Sequence, residues 1–226
     1  TALSRQYNVY IPEKVNSEDY ILTRLPVTAP AEIVFNEYRT IEPLKSFFNH
    51  AKEEVAHYFQ EKDWQTRPMP VCLVNVKACD LFSFKIQDFV FQQGIDVDSL
   101  YQARRENTLI ISSDCTGFKE ACHCLAMNIL PHPVELFDLN LSPINDGFIV
   151  EVGSKKGEEL LKNHGQYFNP ASSGQVSGVK MKRDKLIEDL WRHLKPQHLA
   201  KPEILQQAVI GGLESKLWEN EMQTCV

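Results

Sequence analysis

The chain has 226 residues, 43% of them hydrophobic, enough to bury a core in one large domain or in one domain with a helical appendage. Its formal net charge of -6 and the lack of a long basic run argue against nucleic acid or an anionic membrane surface as a partner. No stretch reaches the roughly 18 apolar residues of a membrane span. Residues 1–10 have no basic or apolar region typical of an export signal, so we expect a reducing cytoplasm.

The first third of the chain is predicted to contain short strands and helices. Residues 1–19 are polar and lack a clear period, which indicates an extended arm or edge. Residues 20–27 and 33–35 are typical of short strands separated by a proline-containing segment. Apolar side chains then recur at helical spacing over residues 43–51 and 53–59, where we expect the aromatic side chains to enter the core.

Two apolar runs in the middle of the chain, Val71–Val76 and Thr108–Ser113, are predicted to be buried strands. The first run is followed by an amphipathic pattern over residues 81–91, which predicts a helix capped by Asp80. A shorter helix is predicted over residues 98–105, directly before the second run.

The C-terminal half is predicted to add a hairpin and further helices. Residues 137–141 and 148–152 alternate with period two around an Asn-Asp-Gly turn, which strongly indicates a β-hairpin. A loop then leads into a helix over residues 158–163. Amphipathic patterns over residues 179–194 and 204–218 predict a helical pair that docks on the sheet or on a partner. Gly211 and Gly212 could kink the second helix or end it early.

Together these elements predict an α/β fold with a mixed sheet, flanking helices and a C-terminal helical pair. We expect residues 1–168 to form an α/β domain that contains Cys79, Cys115, Cys122 and Cys124. Residues 169–178, rich in serine and glycine, are the best candidate for a linker. Residues 179–226 then form a helical segment.

The cysteines are the strongest chemical signal in the sequence. Cys115, Cys122 and Cys124 lie within ten residues, directly after the second buried strand, and Cys79 follows the first buried strand. If those strands are neighbours, their ends bring all four cysteines to one edge of the sheet, where open α/β sheets usually bind ligands. Four thiolates suit either a closed zinc site or an iron–sulfur cluster.

Cysteine spacing alone leaves the identity of the metal open. Structural zinc sites normally use matched Cys-x2-4-Cys pairs, whereas this chain has one remote cysteine and a Cys-x6-Cys-x-Cys run. The single-residue gap favours an iron–sulfur cluster. The simpler alternative is that the cysteines are buried free thiols, and we interpret Cys72, within a predicted strand, in that way.

Several short motifs in chain order point to a known family. They are Val-Lys-Ala-Cys-Asp-Leu over residues 76–81, Tyr-Gln-Ala-Arg-Arg-Glu-Asn over 101–107, Cys-Thr at 115–116, Cys-His-Cys at 122–124, and Asp-Gly-Phe-Ile-Val-Glu-Val-Gly over 146–153. Over about residues 35–165 the chain resembles the iron–sulfur electron-transfer subunits of the hydrogenase (sulfhydrogenase) beta-subunit family. The iron–sulfur subunit of anaerobic sulfite reductase is a close relative of that family.

The resemblance implies an electron-transfer subunit of anaerobic metabolism without catalytic residues of its own. One [4Fe-4S] cluster would be bound by Cys79, Cys115, Cys122 and Cys124 and would pass single electrons. The implied partners are the subunits of a hydrogenase or sulfite reductase, together with a flavin- and NAD(P)-binding oxidoreductase subunit. The family usually continues into a dicluster ferredoxin module, and the tail around Cys225 resembles the entrance to that module without the module itself.

Groups beside the cysteines are candidates for tuning such a cluster. Lys77 and the backbone N–H groups of Thr116 and Gly117 would raise its reduction potential by offsetting negative charge. Their alternative interpretation is as ordinary strand-end and turn residues.

Two other functions are compatible with the same residues. The four thiolates could bind zinc, which would make the domain a structural interaction module. A thiol enzyme could use Cys115 as its nucleophile and His123 or His132 as its base, although no third group that would orient the base is evident.

Overall fold

The computed structural model describes residues 3–25, 35–50, 69–197 and 202–223. Their core is a six-stranded sheet in the order β2-β1-β3-β4-β5-β6. The strands are β1 (Asn8–Lys14), β2 (Tyr20–Arg24), β3 (Val71–Val76), β4 (Thr108–Ser113), β5 (Leu139–Ile144) and β6 (Gly147–Val152). The four central strands are parallel and the two edge strands are antiparallel to their neighbours. The predicted α/β class with a mixed sheet is therefore confirmed.

Helices flank this sheet and extend beyond it. They are α1 (Ala78–Gln92), α2 (Ser99–Asn107), α3 (Lys155–Asn163), α4 (Ser173–Leu194), α5 (Pro202–Gly211) and α6 (Lys216–Met222). Side chains cap several of them: Asp98 accepts two backbone N–H bonds at α2, and Ser172 forms a capping box with Gln175 at α4. Within the described ranges, none of the helices combines the length and apolar character needed to cross a membrane.

The two faces of the sheet bury separate sets of side chains, as the alternation of strand residues requires. One face packs against α1 and α2 through an aromatic-rich core that includes Leu73, Val76, Phe84, Tyr101 and Ile110. The opposite face packs against α3 through a smaller, largely aliphatic core that includes Val9, Ile11, Cys72, Leu109, Ile111 and Leu139.

Helix α3 approaches the sheet closely at Gly157. A Cβ atom at this position would lie 2.0 Å from the backbone oxygen of Asp138, so a larger residue would force the helix away. Ser154 caps the same helix by accepting a bond from the Gly157 N–H. The residues that follow β6 therefore begin a helix that packs tightly against the sheet.

The N-terminal prediction was wrong in one respect. Part of the expected arm forms β1, which lies between β2 and β3. Its sequence hides this role because Pro12 interrupts it. Since β1 pairs with β3 only over its first three residues, Pro12 lies where the strand has a single neighbour and one missing N–H is tolerated.

Predictions over residues 20–59 have mixed outcomes. The strand predicted at 20–27 corresponds to β2, and the helix at 43–51 is only a short 3-10 turn, Leu44–Phe47, within the described residues. Residues 33–34 of the predicted strand at 33–35 and the whole helix at 53–59 lie outside the described residues.

The start of α1 also differs from the prediction. The helix begins at Ala78, with Lys77 at the N-cap, rather than after a capping Asp80. Asp80 lies inside the first turn, where it pairs with Arg39. Strand β3 thus passes into the helix with almost no loop, which places Cys79 in the first helical turn.

Near the C-terminus, residues 173–178 of the predicted linker are helical, because α4 starts at Ser173 behind its capping box. The helix predicted over 204–218 is divided into α5 and α6, since α5 ends at Gly211, beside a second glycine. The division of the chain into domains stays a prediction.

Candidate metal centre

The topology brings two predicted cysteine positions to one edge of the sheet. Strands β3 and β4 are parallel neighbours, as expected, so their carboxyl ends meet at that edge. Cys79 follows β3 in the first turn of α1, and Cys115 follows β4 after one intervening residue, Asp114.

The loop after Cys115 folds back toward the same edge. The Cys115 N–H donates to the Pro131 oxygen over 2.8 Å, which ties the loop's start to the segment beyond its end. The Lys119 N–H donates to the Cys122 sulfur over 3.2 Å. A 3-10 turn, Cys124–Met127, then begins at the last cysteine.

All four predicted cysteines line one cavity of about 580 Å³. The remaining wall is mainly apolar or cationic and includes Arg39, Phe118, Lys119, Ile129, Leu186 and Leu190. Cys79 and Cys115 come from strand ends, whereas Cys122 and Cys124 come from the loop. The structure thus brings together cysteines from two distant parts of the sequence.

Zinc and a four-iron cluster place different demands on the same four thiols. In the part of the chain that the structure describes, no group of three or more His, Cys, Asp or Glu side chains is close enough to bind a metal ion. A zinc ion would need its sulfur ligands at about 2.3 Å from one centre. In a four-iron cluster each thiolate binds a different iron, so the sulfurs surround a larger body.

The environment of the thiols disfavours their ionisation when no metal is bound. Burial raises the pKa of Cys115 to about 12 and that of Cys124 to about 11, and nearby thiols add to both effects. Burial also raises the pKa of Cys79 well above its usual value, with Asp80 and Cys115 contributing. A bound cation would stabilise the ionised forms of these thiols.

Cys72 provides a contrast within the same chain. Its side chain is fully buried on the opposite face of the sheet, in the aliphatic core. Burial raises its pKa to about 12 as well, and the charged group that adds to this effect is Asp138 rather than another cysteine. The structure supports the interpretation of Cys72 as a packing residue.

Lys77 is a fully buried cation next to the cavity. Its Nζ donates to the Ser113 hydroxyl over 2.8 Å and to the Asp114 backbone oxygen over 2.9 Å, and lies 4.7 Å from the Phe35 ring centre. Burial lowers the pKa of Lys77 to about 8, while the negative forms of Cys115 and Asp114 act in the opposite direction. A positive charge here would complement thiolates in the cavity.

The expected tuning role of two backbone groups is wrong. The N–H groups of Thr116 and Gly117 both donate to the Glu37 backbone oxygen, over 3.0 and 3.4 Å. Both N–H groups already donate to Glu37, so they are not available to donate to a cysteine sulfur. Sequence spacing could not show this, since Glu37 is remote in the chain.

Comparison with known proteins adds a relative. No family model and no solved structure matches the chain. Over 225 residues, 98% of the chain, it is 27% identical to sulfhydrogenase 2 subunit beta from Pyrococcus furiosus. The chain is similar to a hydrogenase beta subunit. It spans 60% of the length of that relative. The predicted resemblance to the hydrogenase beta-subunit family is confirmed by this match.

Sequence reasoning missed a buried polar network beside Cys115. Asp114 accepts two bonds from Arg183 on α4 and one from Asn140 on β5. The position of Asp114 directly before a cysteine could have pointed to this network. Nothing in the sequence pattern links it to Arg183, which lies 69 residues downstream. Its role depends entirely on how α4 packs.

The two histidines considered as bases lie in different environments. His123 is exposed, and its Nδ1 lies 2.9 Å from the backbone oxygen of Ala121. Burial lowers the pKa of His132, with Arg183 contributing in the same direction. A nucleophilic cysteine needs a lowered pKa, whereas burial raises that of Cys115, so the arrangement disfavours a thiol enzyme.

Proposed function

We propose that this chain is an electron-transfer subunit that binds one [4Fe-4S] cluster through Cys79, Cys115, Cys122 and Cys124. The observation that carries the proposal is the shared cavity of about 580 Å³ that all four line. The similarity to a sulfhydrogenase beta subunit supports an electron-transfer role.

The donor set fits an iron–sulfur cluster better than zinc. Iron–sulfur clusters are held by cysteine thiolates, commonly four of them. The Cys-x6-Cys-x-Cys run lacks the matched Cys-x2-4-Cys pairs that are typical of structural zinc, and the cavity of about 580 Å³ has room for a larger group. A zinc-binding interaction module is the second candidate, favoured only by the fact that four thiolates also satisfy zinc.

The chain's own groups would bind the cluster and control its surroundings. The cluster, when bound, would accept and release single electrons. Lys77 would offset negative charge from beneath the site, and the first turn of α1 would present its positive dipole end. Apolar side chains such as Phe118 and Leu190 would limit the access of water. No acid, base or nucleophile is required.

We propose that the chain works within a larger complex in a reducing cytoplasm. The relative is named as a sulfhydrogenase subunit, which makes hydrogenase or sulfite reductase subunits the proposed partners on one side. A flavin- and NAD(P)-binding oxidoreductase subunit is the proposed partner on the other side. A reducing compartment is part of the proposal because it keeps clustered cysteines available as ligands.

Metal analysis of anaerobically purified protein tests the proposal. The cluster predicts a brown protein with four iron and four acid-labile sulfide per chain, the composition of one [4Fe-4S] cluster. Stoichiometric zinc without iron or sulfide, in a colourless protein, would establish the zinc alternative instead.

A pair of cysteine variants makes the test specific to the ligands. Cys122→Ser is expected to abolish binding of an intact [4Fe-4S] cluster, whereas Cys72→Ala, on the far face of the sheet, is expected to retain full iron and sulfide content. Equal loss in both variants would point to general unfolding. Full retention in Cys122→Ser would remove this residue from the site.

A further inference from the structure

Helix α4 contacts both ends of the cysteine loop. Near the loop's start, Arg183 pairs with Asp114, the residue before Cys115. Near its end, Leu190 and Leu194 pack against the 3-10 turn that begins at Cys124. Helix α4 thus spans the loop that supplies three of the four proposed ligands.

The pair between Arg183 and Asp114 is bidentate and largely buried. Arg183 Nε and Nη2 lie 2.8 and 3.1 Å from the two carboxylate oxygens of Asp114. The Asp114 side chain is only 7% exposed and that of Arg183 18%. Arg183 also donates to the Ser142 hydroxyl over 3.0 Å and pairs with Glu151. These contacts fix the planar guanidinium in one orientation.

Asp114 is held through its backbone as well. Its N–H donates to the Leu141 oxygen over 3.1 Å, and its own backbone oxygen accepts from Lys77 over 2.9 Å. Asn140 donates to its carboxylate over 3.0 Å. The point at which the chain leaves β4 for Cys115 is therefore fixed from several directions.

Stability alone is a poor explanation for this arrangement. Removing two charges from water costs as much as a buried pair typically returns, so such pairs contribute little net stability. A rigid polar network next to a ligand instead fixes the ligand's position, as groups around metal sites commonly do.

We propose that Arg183 is a positioning residue that acts through Asp114 to hold Cys115 where the cluster requires it. The inference rests on the proposed function, since it assigns a role in the same site. It also assigns a function to α4, whose contacts at both ends of the cysteine loop would hold that loop in place.

The test compares variants on one helix. Arg183→Met removes the pair, Arg183→Lys restores a charge without the bidentate geometry, and Arg192→Met removes only exposed pairs with Glu188 and Asp189. Iron release to a chelator from the cluster-loaded protein is expected to be roughly tenfold or more faster in Arg183→Met. Arg183→Lys should fall between Arg183→Met and wild type, and Arg192→Met should match wild type.

Two further readouts separate positioning from general destabilisation. The paramagnetic resonance spectrum of the reduced cluster should change in Arg183→Met but not in Arg192→Met. If Arg183 acts through Asp114, Asp114→Asn should accelerate release, and combining it with Arg183→Met should add little further effect.

The outcomes keep the two proposals apart. Wild-type protein without iron and sulfide would refute the proposed function itself. A loaded wild type whose Arg183→Met variant shows unchanged release and an unchanged spectrum would refute the positioning role alone. If Arg183→Met fails to fold, Arg183→Lys and Asp114→Asn decide, and wild-type release in both would overturn the inference.

Discussion

The first turn and the middle of helix α1 lie in contrasting environments. Its first turn carries Cys79, which lines the cavity, and follows Lys77, a buried residue that donates to the Asp114 backbone oxygen. Its middle enters an aromatic core, where Phe84 meets Phe48 edge to face with ring centres 4.9 Å apart. One helix therefore links a polar region to an apolar one.

This contrast distinguishes the residues that stabilise the fold from the residues that serve the candidate site. Burial of aromatic surface is favourable in itself. The cavity end instead buries a lysine, and burial lowers the pKa of Lys77 because a buried charge costs free energy unless partners compensate. We expect substitutions in the aromatic core to change stability, and substitutions at the cavity end to change mainly the properties of the proposed cluster.

The largest effect is expected from Phe84→Ala. This fully buried ring leaves a cavity when truncated, so the free energy of unfolding should fall by about 4 kcal/mol. Denaturant unfolding measures the change. Phe89→Ala on the same helix, where the side chain is 64% exposed, should stay within about 0.5 kcal/mol. Similar losses in both variants would contradict the assignment of the core.

A smaller, pH-dependent effect is expected from Asp88→Asn. Asp88 accepts two bonds from Arg105 at 2.9 Å and one from Tyr101 at 2.6 Å. Burial alone would raise the pKa of Asp88, but these bonds outweigh it and lower the pKa. The variant should lose about 2 kcal/mol of stability at neutral pH.

The sign of the pH dependence follows from the lowered pKa of Asp88. The ionised carboxylate stabilises the wild type above the unfolded-state pKa near 4, and this contribution is lost as pH falls through the lower folded-state pKa. The gap between wild type and Asp88→Asn should therefore narrow on acidification. A gap that stays constant down to about pH 3 would argue against the ion pair as its source.

The smallest change in stability is expected from Lys77→Met. Loss of two hydrogen bonds is offset by removal of a buried charge, so the free energy of unfolding should change by about 1 kcal/mol or less. The reduction potential of the bound cluster should fall by roughly 60 mV, one tenfold change in a one-electron equilibrium. Lys85→Met, exposed on the same helix, should leave the potential unchanged.

Much of the sheet was predictable because its strands have local signatures. The apolar runs that became β3 and β4, and the alternating pair around a tight turn that became β5 and β6, were recognised without any tertiary information. β1 was missed because its proline and polar residues give no clear strand pattern, and the strand depends on pairing with β2 and β3. The local signal was weak there, and long-range pairing decided the outcome.

In the candidate site, too, local patterns were predictable and long-range contacts were not. Four cysteines could be proposed as one set, since neighbouring parallel strands deliver their carboxyl ends to the same edge. The backbone N–H groups of Thr116 and Gly117 were expected to offset charge at the site, but both donate to the Glu37 backbone oxygen. Contacts between remote segments leave no periodic mark in the sequence, so spacing could not reveal this one.

The sequence by itself determined strands β2 to β6 and most of the helices, and it suggested which cysteines could act together, because these follow from residue order over short distances. Only the tertiary structure decided that Lys77 lies buried beneath the site and that Arg183 reaches Asp114 from a distant helix. The physical reason is that buried charges are placed by the packing of whole elements, and each needs partners that the fold alone brings within hydrogen-bonding distance.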